Sequence, residues 1–369
     1  MTRSRASRRC TRAGVTASLA LAAVVTVAGT ASAHDDEGQT VYALSNATSG
    51  NEVLAFHRTP DGGLVAAGSY ATGGTGTGGG LGSQGAVVLD REGDRLLAVN
   101  AGSDDVSLFS IGDHGRLRLV DREASGGDQP ISVTVRGHVA YVLNGASGTI
   151  SALRVERWGL EPIAGSTRAL GGAGAAQVSF TPRGRQLVVT EKATSTIDVF
   201  PVDGGGRAGA PVTNPSAGVT PFGFDFGRRG TLVVSNAAGG APDASSVSSY
   251  DVGDDGHLAL LDGPVATTET AACWVVTAGR FAYTTNTGSG TVSGFRVGRG
   301  GDLSLLSPDG VTAATGAGPI DAAVGGGDLF TLNSRAHTIT VHGIGADGSL
   351  TAEGSVGALP ASTVGLAVR

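Results

Sequence analysis

Along most of the chain, short apolar runs alternate with turns rich in Gly, Asn and Asp. Segments such as Thr149-Ile-Ser-Ala-Leu153, Thr196-Ile-Asp-Val-Phe200, Thr291-Val-Ser-Gly-Phe295 and Thr338-Ile-Thr-Val-His342 alternate apolar and polar positions, the period of half-buried strands. No long 3.6-residue apolar periodicity competes with them. A second set of strands ends in Asn or Glu: Val41-Tyr-Ala-Leu-Ser-Asn46, Leu96-Leu-Ala-Val-Asn100, Ala140-Tyr-Val-Leu-Asn144, Leu187-Val-Val-Thr-Glu191, Leu232-Val-Val-Ser-Asn236, Ala282-Tyr-Thr-Thr-Asn286 and Leu329-Phe-Thr-Leu-Asn333. The closing residues are 54, 44, 47, 45, 50 and 47 positions apart.

That period suits four short antiparallel strands per repeat, and seven repeats predict an all-β chain folded as one seven-bladed β-propeller. The chain enters on a second-type strand at Thr40 and ends on Thr363-Val-Gly-Leu-Ala-Val-Arg369, which matches a first, innermost strand. The ring is therefore expected to close by pairing of N- and C-terminal strands, which removes an open sheet edge. Asp61-Gly62-Gly63, Asp113-His114-Gly115, Asp254-Asp255-Gly256 and Asp347-Gly348 read as hairpin turns rather than calcium loops, since they are too short for a 12-residue EF-hand.

In this architecture the ends of the second strands and the entrances to the inner strands share one rim, where a pocket belongs. The entrances carry Gln129, Gln177, Phe222 and Trp274, and the strand ends carry Asn144 and Asn236; these are the candidate substrate-binding residues. An Asn at a strand end also serves the following turn without any ligand. Glu191 alone breaks the Asn column, and a local break of a repeat rule is where function is expected. The alternative for Glu191 is a solvated carboxylate weakly paired with Lys192. The run from Gly73 to Gly85 lacks the Lys-Ser/Thr of a phosphate loop and reads as a flexible connection over the rim.

Composition adds the cellular context. Arg3, Arg5, Arg8, Arg9 and Arg12 precede an uncharged stretch that ends in Ala31-Ser32-Ala33, the layout of a secretory signal peptide over residues 1–33, with a single domain over 34–369. The apolar core of that stretch is shorter than a membrane span, so a secreted, extracellular protein without a stable membrane anchor is expected. Without those five arginines the formal charge falls from −6 to −11, which speaks against nucleic acid as a partner. Cys273 is then the one cysteine left, which precludes an intrachain disulfide, and its place beside Trp274 favours burial over nucleophilic use. The histidines are scattered without metal-ligand spacing, so no metal and no cofactor is expected, and no serine nucleophile can be placed. A monomer acting on a small-molecule ligand, or on an unknown extracellular partner, is the expectation.

Leu187-Val-Val-Thr-Glu191-Lys-Ala-Thr-Ser-Thr-Ile-Asp-Val-Phe200, Phe281-Ala-Tyr-Thr-Thr-Asn-Thr-Gly-Ser-Gly-Thr-Val-Ser-Gly294 and Gly78-Gly-Gly-Leu-Gly-Ser-Gln-Gly85 resemble the lactonase-like seven-bladed propellers. That family includes propeller-type 6-phosphogluconolactonases and carboxymuconate-lactonizing cycloisomerases, and the resemblance runs from about Thr40 to Arg369. It implies a catalytic Glu closing a second strand, matched by Glu191, and a Pro-Arg-His at an inner-strand entrance. The latter reads Ala175-Ala176-Gln177 here, so the cation is missing. The resemblance thus implies a lactonase using Glu191 as general base on an uncharged lactone, with a non-catalytic binding propeller or an extracellular scaffold as the other readings.

Overall fold

The computed structural model describes residues 38–369, so the expected signal peptide lies outside the described residues. The described residues form seven antiparallel sheets, numbered blades one to seven in chain order. Blade four shows the plan: Ala175–Phe180 lies innermost, followed outward by Gln186–Glu191, Thr196–Pro201 and Val212–Pro215. In blades three and six the outer strand is split into two pieces that both pair with the third strand. Among the described residues no helix is long and apolar enough to cross a membrane.

Alternation along the strands explains the packing. Each second strand is buried on both faces because it lies between neighbouring blades, as in Leu187, Val188 and Val189, all fully buried. Where such a strand carries Tyr, the ring fills the interblade core and its hydroxyl reaches the next blade's outer hairpin. Tyr42 donates to the Gly115 carbonyl at 2.7 Å, Tyr141 to Gly206 at 2.8 Å and Tyr283 to Gly348 at 2.9 Å. Burial pushes each of these phenols up to about 12.

The ring closes as the strand pattern implies. Val364–Val368 is the innermost strand of blade one and pairs antiparallel with Thr40–Leu44. One register differs from the sequence reading. In blade one the paired position at the strand end belongs to Ser45, whose amide bonds to the Glu52 carbonyl at 2.8 Å. Asn46 falls one residue beyond it, in the turn, at φ 50°. Asn46 is fully buried, so its Asn-Ala-Thr sequon is not a surface acceptor.

A β-bulge opens the inner strands of blades three to seven, between Pro130 and Ser132, Ala175 and Gln177, Pro221 and Phe224, Ala272 and Trp274, and Pro319 and Asp321. The extra residue turns the strand entrance toward the channel. Ala176, Phe222, Cys273 and Trp274 consequently form one cluster at the channel mouth, with Ile320 packed against it.

Candidate functional site

The Gly-rich connection closes this mouth rather than passing loosely over it. Asn46 holds its first half, with Nδ2 donating to Thr77 Oγ1 at 2.9 Å and to the Gly79 carbonyl at 2.6 Å, and Oδ1 accepting from the Thr77 amide at 3.0 Å. A Cβ on Gly76 would stand 2.1 Å from the Asn46 backbone, so the approach requires glycine. The second half descends into the channel. Ser83 Oγ donates to the Ile131 carbonyl at 2.7 Å, Trp274 Nε1 donates to the Ser83 carbonyl at 2.9 Å, and the Gln84 amide bonds to the Ala176 carbonyl at 3.1 Å.

Of the candidate binding residues, the structure brings three together beneath this loop. The Phe222 and Trp274 rings lie 4.9 Å apart, and both are nearly buried. Gln177 stands next to them on the inner strands, but its amide is spent on the backbone of the neighbouring blade, with Nε2 donating to the Phe224 carbonyl at 2.9 Å and Oε1 accepting from its amide at 2.7 Å. Lys192 joins this group, whereas the sequence suggested a pair with Glu191. Its Nζ donates to the Gly82 carbonyl at 2.5 Å and lies 4.6 Å from the centre of the Phe222 ring. Burial lowers the Lys192 pKa and pushes the Cys273 thiol up to about 11.

The column residues lie apart from that cluster. Asn144 donates to Ser151 Oγ at 3.0 Å, and Asn236 donates to Ser246 Oγ at 3.2 Å and to Ser248 Oγ at 3.0 Å, each tying its strand end to the third strand. Glu191 fills the same place in blade four and is fully buried. Its Oε1 accepts from the Gly172 amide at 2.9 Å and its Oε2 from Thr196 Oγ1 at 2.8 Å. Where blades two, three, six and seven have Ser or Thr seven residues on, this blade has Asp198, also fully buried, which accepts from Thr213 Oγ1 at 2.6 Å. Burial raises the Glu191 pKa, the Thr196 and Gly172 bonds oppose that rise, and the charge of Asp198 adds to it. Gln129 is half-buried on the rim at φ 55°, its amide bonded to Asp104 Oδ1 at 2.7 Å.

Beside the loop, on the same face, a cavity of about 370 Å3 is lined by Gly80, Ile320, Ser334, Arg335, His337 and Thr363, with Ala361 at its edge. It draws on the turn of blade seven that follows the Asn column. Arg335 Nη2 donates to the Thr287 carbonyl at 2.7 Å, which braces the side chain and leaves its remaining donors unused. His337 is exposed and sits at φ 55°. Sequence reasoning passed over both residues. The signal was present, because Ser334-Arg-Ala-His337 is the one turn of this type among the described residues that contains Arg or His. Among the described residues no group of three or more His, Cys, Asp or Glu side chains is disposed to hold a metal ion.

A seven-bladed ring whose inner mouth is stopped by a Gly-rich loop, with a small polar cavity beside it, defines a lactonase-like propeller. The chain belongs to the family described as lactonase, seven-bladed β-propeller, which matches residues 32–159 and 86–251. Over 142 residues it is 27% identical to a 6-phosphogluconolactonase of Sodalis glossinidius, a match covering 36% of this chain and 43% of that protein. The chain thus spans less than half the length of the curated relative it matches. A candidate 6-phosphogluconolactonase from Bacteroides fragilis superposes with a TM-score of 0.73 at 18% identity, over 90% of this chain and 99% of that one. The periplasmic gluconolactonase of Pseudomonas aeruginosa does so at 0.69 and 17% identity, over 89% and 99%. At such identities the two structures speak for the fold alone.

Proposed function

We propose that this protein hydrolyses a small lactone in the cavity beside the Gly-rich loop, with His337 as general base and Arg335 stabilising the developing oxyanion. The observation that carries the reading is the pairing of an exposed imidazole with a braced guanidinium in one cavity of about 370 Å3. His337 takes a proton from water as the oxygen attacks the lactone carbonyl. The negative charge gathers on the carbonyl oxygen, opposite the Arg335 donors. Collapse of that intermediate breaks the ring C–O bond, and the proton held by His337 passes to the leaving alkoxide, giving a hydroxy acid. Arg335 supplies a cation that the inner-strand entrance at Ala176 and Gln177 lacks, so acidic lactones belong in the substrate panel beside neutral ones.

A second reading keeps Glu191 as the base, favoured by the upward pull of burial on its carboxyl. Against it, both oxygens already accept hydrogen bonds, so the segment around Gly172 has to lift before a substrate can approach. The test is acid release from a panel of neutral and acidic lactones by the purified protein beginning at His34, compared with His337→Ala, Arg335→Ala and Glu191→Gln. Loss of about 100-fold or more in kcat for His337→Ala, with turnover kept in Glu191→Gln, is the expected result. The reverse pattern assigns the base to Glu191. No turnover on any lactone leaves a non-catalytic ligand-binding propeller. We also propose that the protein acts outside the cytoplasm, which fractionation of cells expressing the full chain tests.

A further inference from the structure

On the face opposite the Gly-rich loop, each inner strand turns into the second strand. Besides Arg280 in blade six, six arginines in blades two to five lie in that turn or at the strand end before it: Arg91 in blade two, Arg136 in blade three, Arg183 with Arg185 in blade four, and Arg228 with Arg229 in blade five. All six are exposed. Several other arginines are engaged: Arg58 bonds to Asp328 at 2.9 Å and also to Glu353, Arg122 to Asp105 at 2.6 Å, and Arg280 to the Ala346 carbonyl at 2.8 Å. By contrast, the side chains of Arg91, Arg136, Arg185, Arg228 and Arg229 make no hydrogen bond or ion pair among the described residues. Arg183 reaches only Asp254, at 3.7 Å, with 80% and 85% of the two side chains exposed, a contact of little energetic weight.

Neighbouring turns leave room for these side chains. Arg136 lies across Gly184 of the next blade, where a Cβ would stand 2.2 Å from its Nε, and Arg228 reaches Gly279 of the following one. Between blades four and five, Arg183, Arg185 and Arg229 line a cleft of about 470 Å3, backed by Gln186 and Phe226 and edged by Asp251 and Asp254. The chain as a whole is acidic, with a formal charge of −6. A run of uncompensated guanidinium groups is therefore a local arrangement and not a reflection of composition. Like charges held together cost free energy that a bound anion returns.

We propose that this cleft binds a small multivalent anion bearing at least two carboxylate or phosphate groups. Arg185 and Arg229 each engage one group through paired N–H donors, and Arg183 exchanges its loose contact with Asp254 for the ligand. The channel is stopped on the other side by Ser83 and Gln84, so this site is separate from the cavity proposed for lactone hydrolysis.

Isothermal titration of the purified protein with citrate and with inorganic pyrophosphate, at physiological salt, tests the proposal. Saturable one-to-one binding of at least one probe is expected, weakened tenfold or more in Arg185→Ala/Arg229→Ala and unchanged in Arg91→Ala/Arg136→Ala. The tighter probe tells carboxylate from phosphate recognition. Absence of saturable binding by either probe, or equal weakening in both double variants, overturns the site and leaves only unspecific surface charge. Because the substituted side chains are exposed, an unchanged Tm verifies that folding is not the variable.

Discussion

The side-chain amide of Gln84, at the end of the Gly-rich loop, pairs with the backbone of Val275 in blade six as a strand neighbour would. Nε2 donates to the Val275 carbonyl at 2.9 Å and Oε1 accepts from its amide at 3.2 Å, across 191 positions of sequence. Gly223 makes room for this contact, since a Cβ there would stand 2.3 Å from Oε1. Gln84→Leu keeps the volume but strands two buried backbone groups, at a cost of about 1–3 kcal/mol each. The expected result is a Tm lowered by several degrees. The chain has two tryptophans, and Trp158 is 69% exposed, so in a Trp158→Phe background the remaining emission reports the plug. Red-shifted, iodide-quenchable Trp274 emission is expected in Gln84→Leu. A native spectrum and Tm would mean that the loop closes the channel without this residue.

The pH response of Glu191 follows from its surroundings. Burial raises its pKa in the folded state above the ordinary glutamate value of 4.5, so the native protein holds this proton more tightly than the unfolded chain does. Its stabilising contribution is fully present below pH 4.5 and is lost as pH rises through the folded-state value. Glu191→Gln keeps the acceptor for Gly172 and removes the titration. Comparing unfolding free energies of the two proteins from pH 4 to 8, the difference should tilt toward the variant as pH rises. A pH-independent difference would show that the carboxyl titrates alike in both states.

Asp198 extends this argument to the repeat itself. Blades two, three, six and seven join an Asn to a hydroxyl residue seven positions later, as Asn144 does with Ser151 at 3.0 Å, and blade four replaces both partners with carboxyls. Glu191→Asn together with Asp198→Ser restores the common pair and separates two buried acids. Raised stability at pH 7 is expected from the double variant, with Glu191→Asn alone gaining less because Asp198 stays behind. Additive, destabilising effects would mean that the carboxyl pair is the better solution in this blade.

The blade register was legible because period-two strands and turn residues are local properties of the sequence. It slipped at Asn46, which lies in the turn, one residue past the paired Ser45. Glu191 stands out as a departure from a column, whereas its companion Asp198 occupies a polar position of Thr196-Ile-Asp-Val-Phe200, where the alternation of a half-buried strand already expects one. Arg335 and His337 were hidden because they sit in a turn after a second strand, outside the strand-end column and the inner-strand entrances where a pocket is expected. The descent of Ser83 and Gln84 into the channel could not be read at all. It depends on contacts with Ile131, Ala176 and Val275, three different blades, that no local pattern encodes.

Closure of the ring is the feature whose loss should be felt throughout the molecule. Val364–Val368 contributes the buried Val364, Leu366 and Ala367, and pairs Tyr42 with Ala367 and Ala43 with Leu366. Deleting residues 364–369 removes a few kcal/mol of apolar burial, at about 1.5–3 kcal/mol for each large side chain. It also leaves Thr40–Leu44 as an unpaired edge at the channel, where free N–H and C=O groups invite pairing between molecules. The burial term alone equals that of one or two core substitutions, so the edge decides how much worse the truncation is. The truncated protein is expected to melt well below Leu366→Ala and to elute as higher-order species. A synthetic peptide spanning Thr363 to Arg369 should restore part of the Tm, rising with the logarithm of its concentration above Kd, since only the folded ring binds it. A truncated protein that stays monomeric and melts no lower than Leu366→Ala would place the energetic seam elsewhere in the ring.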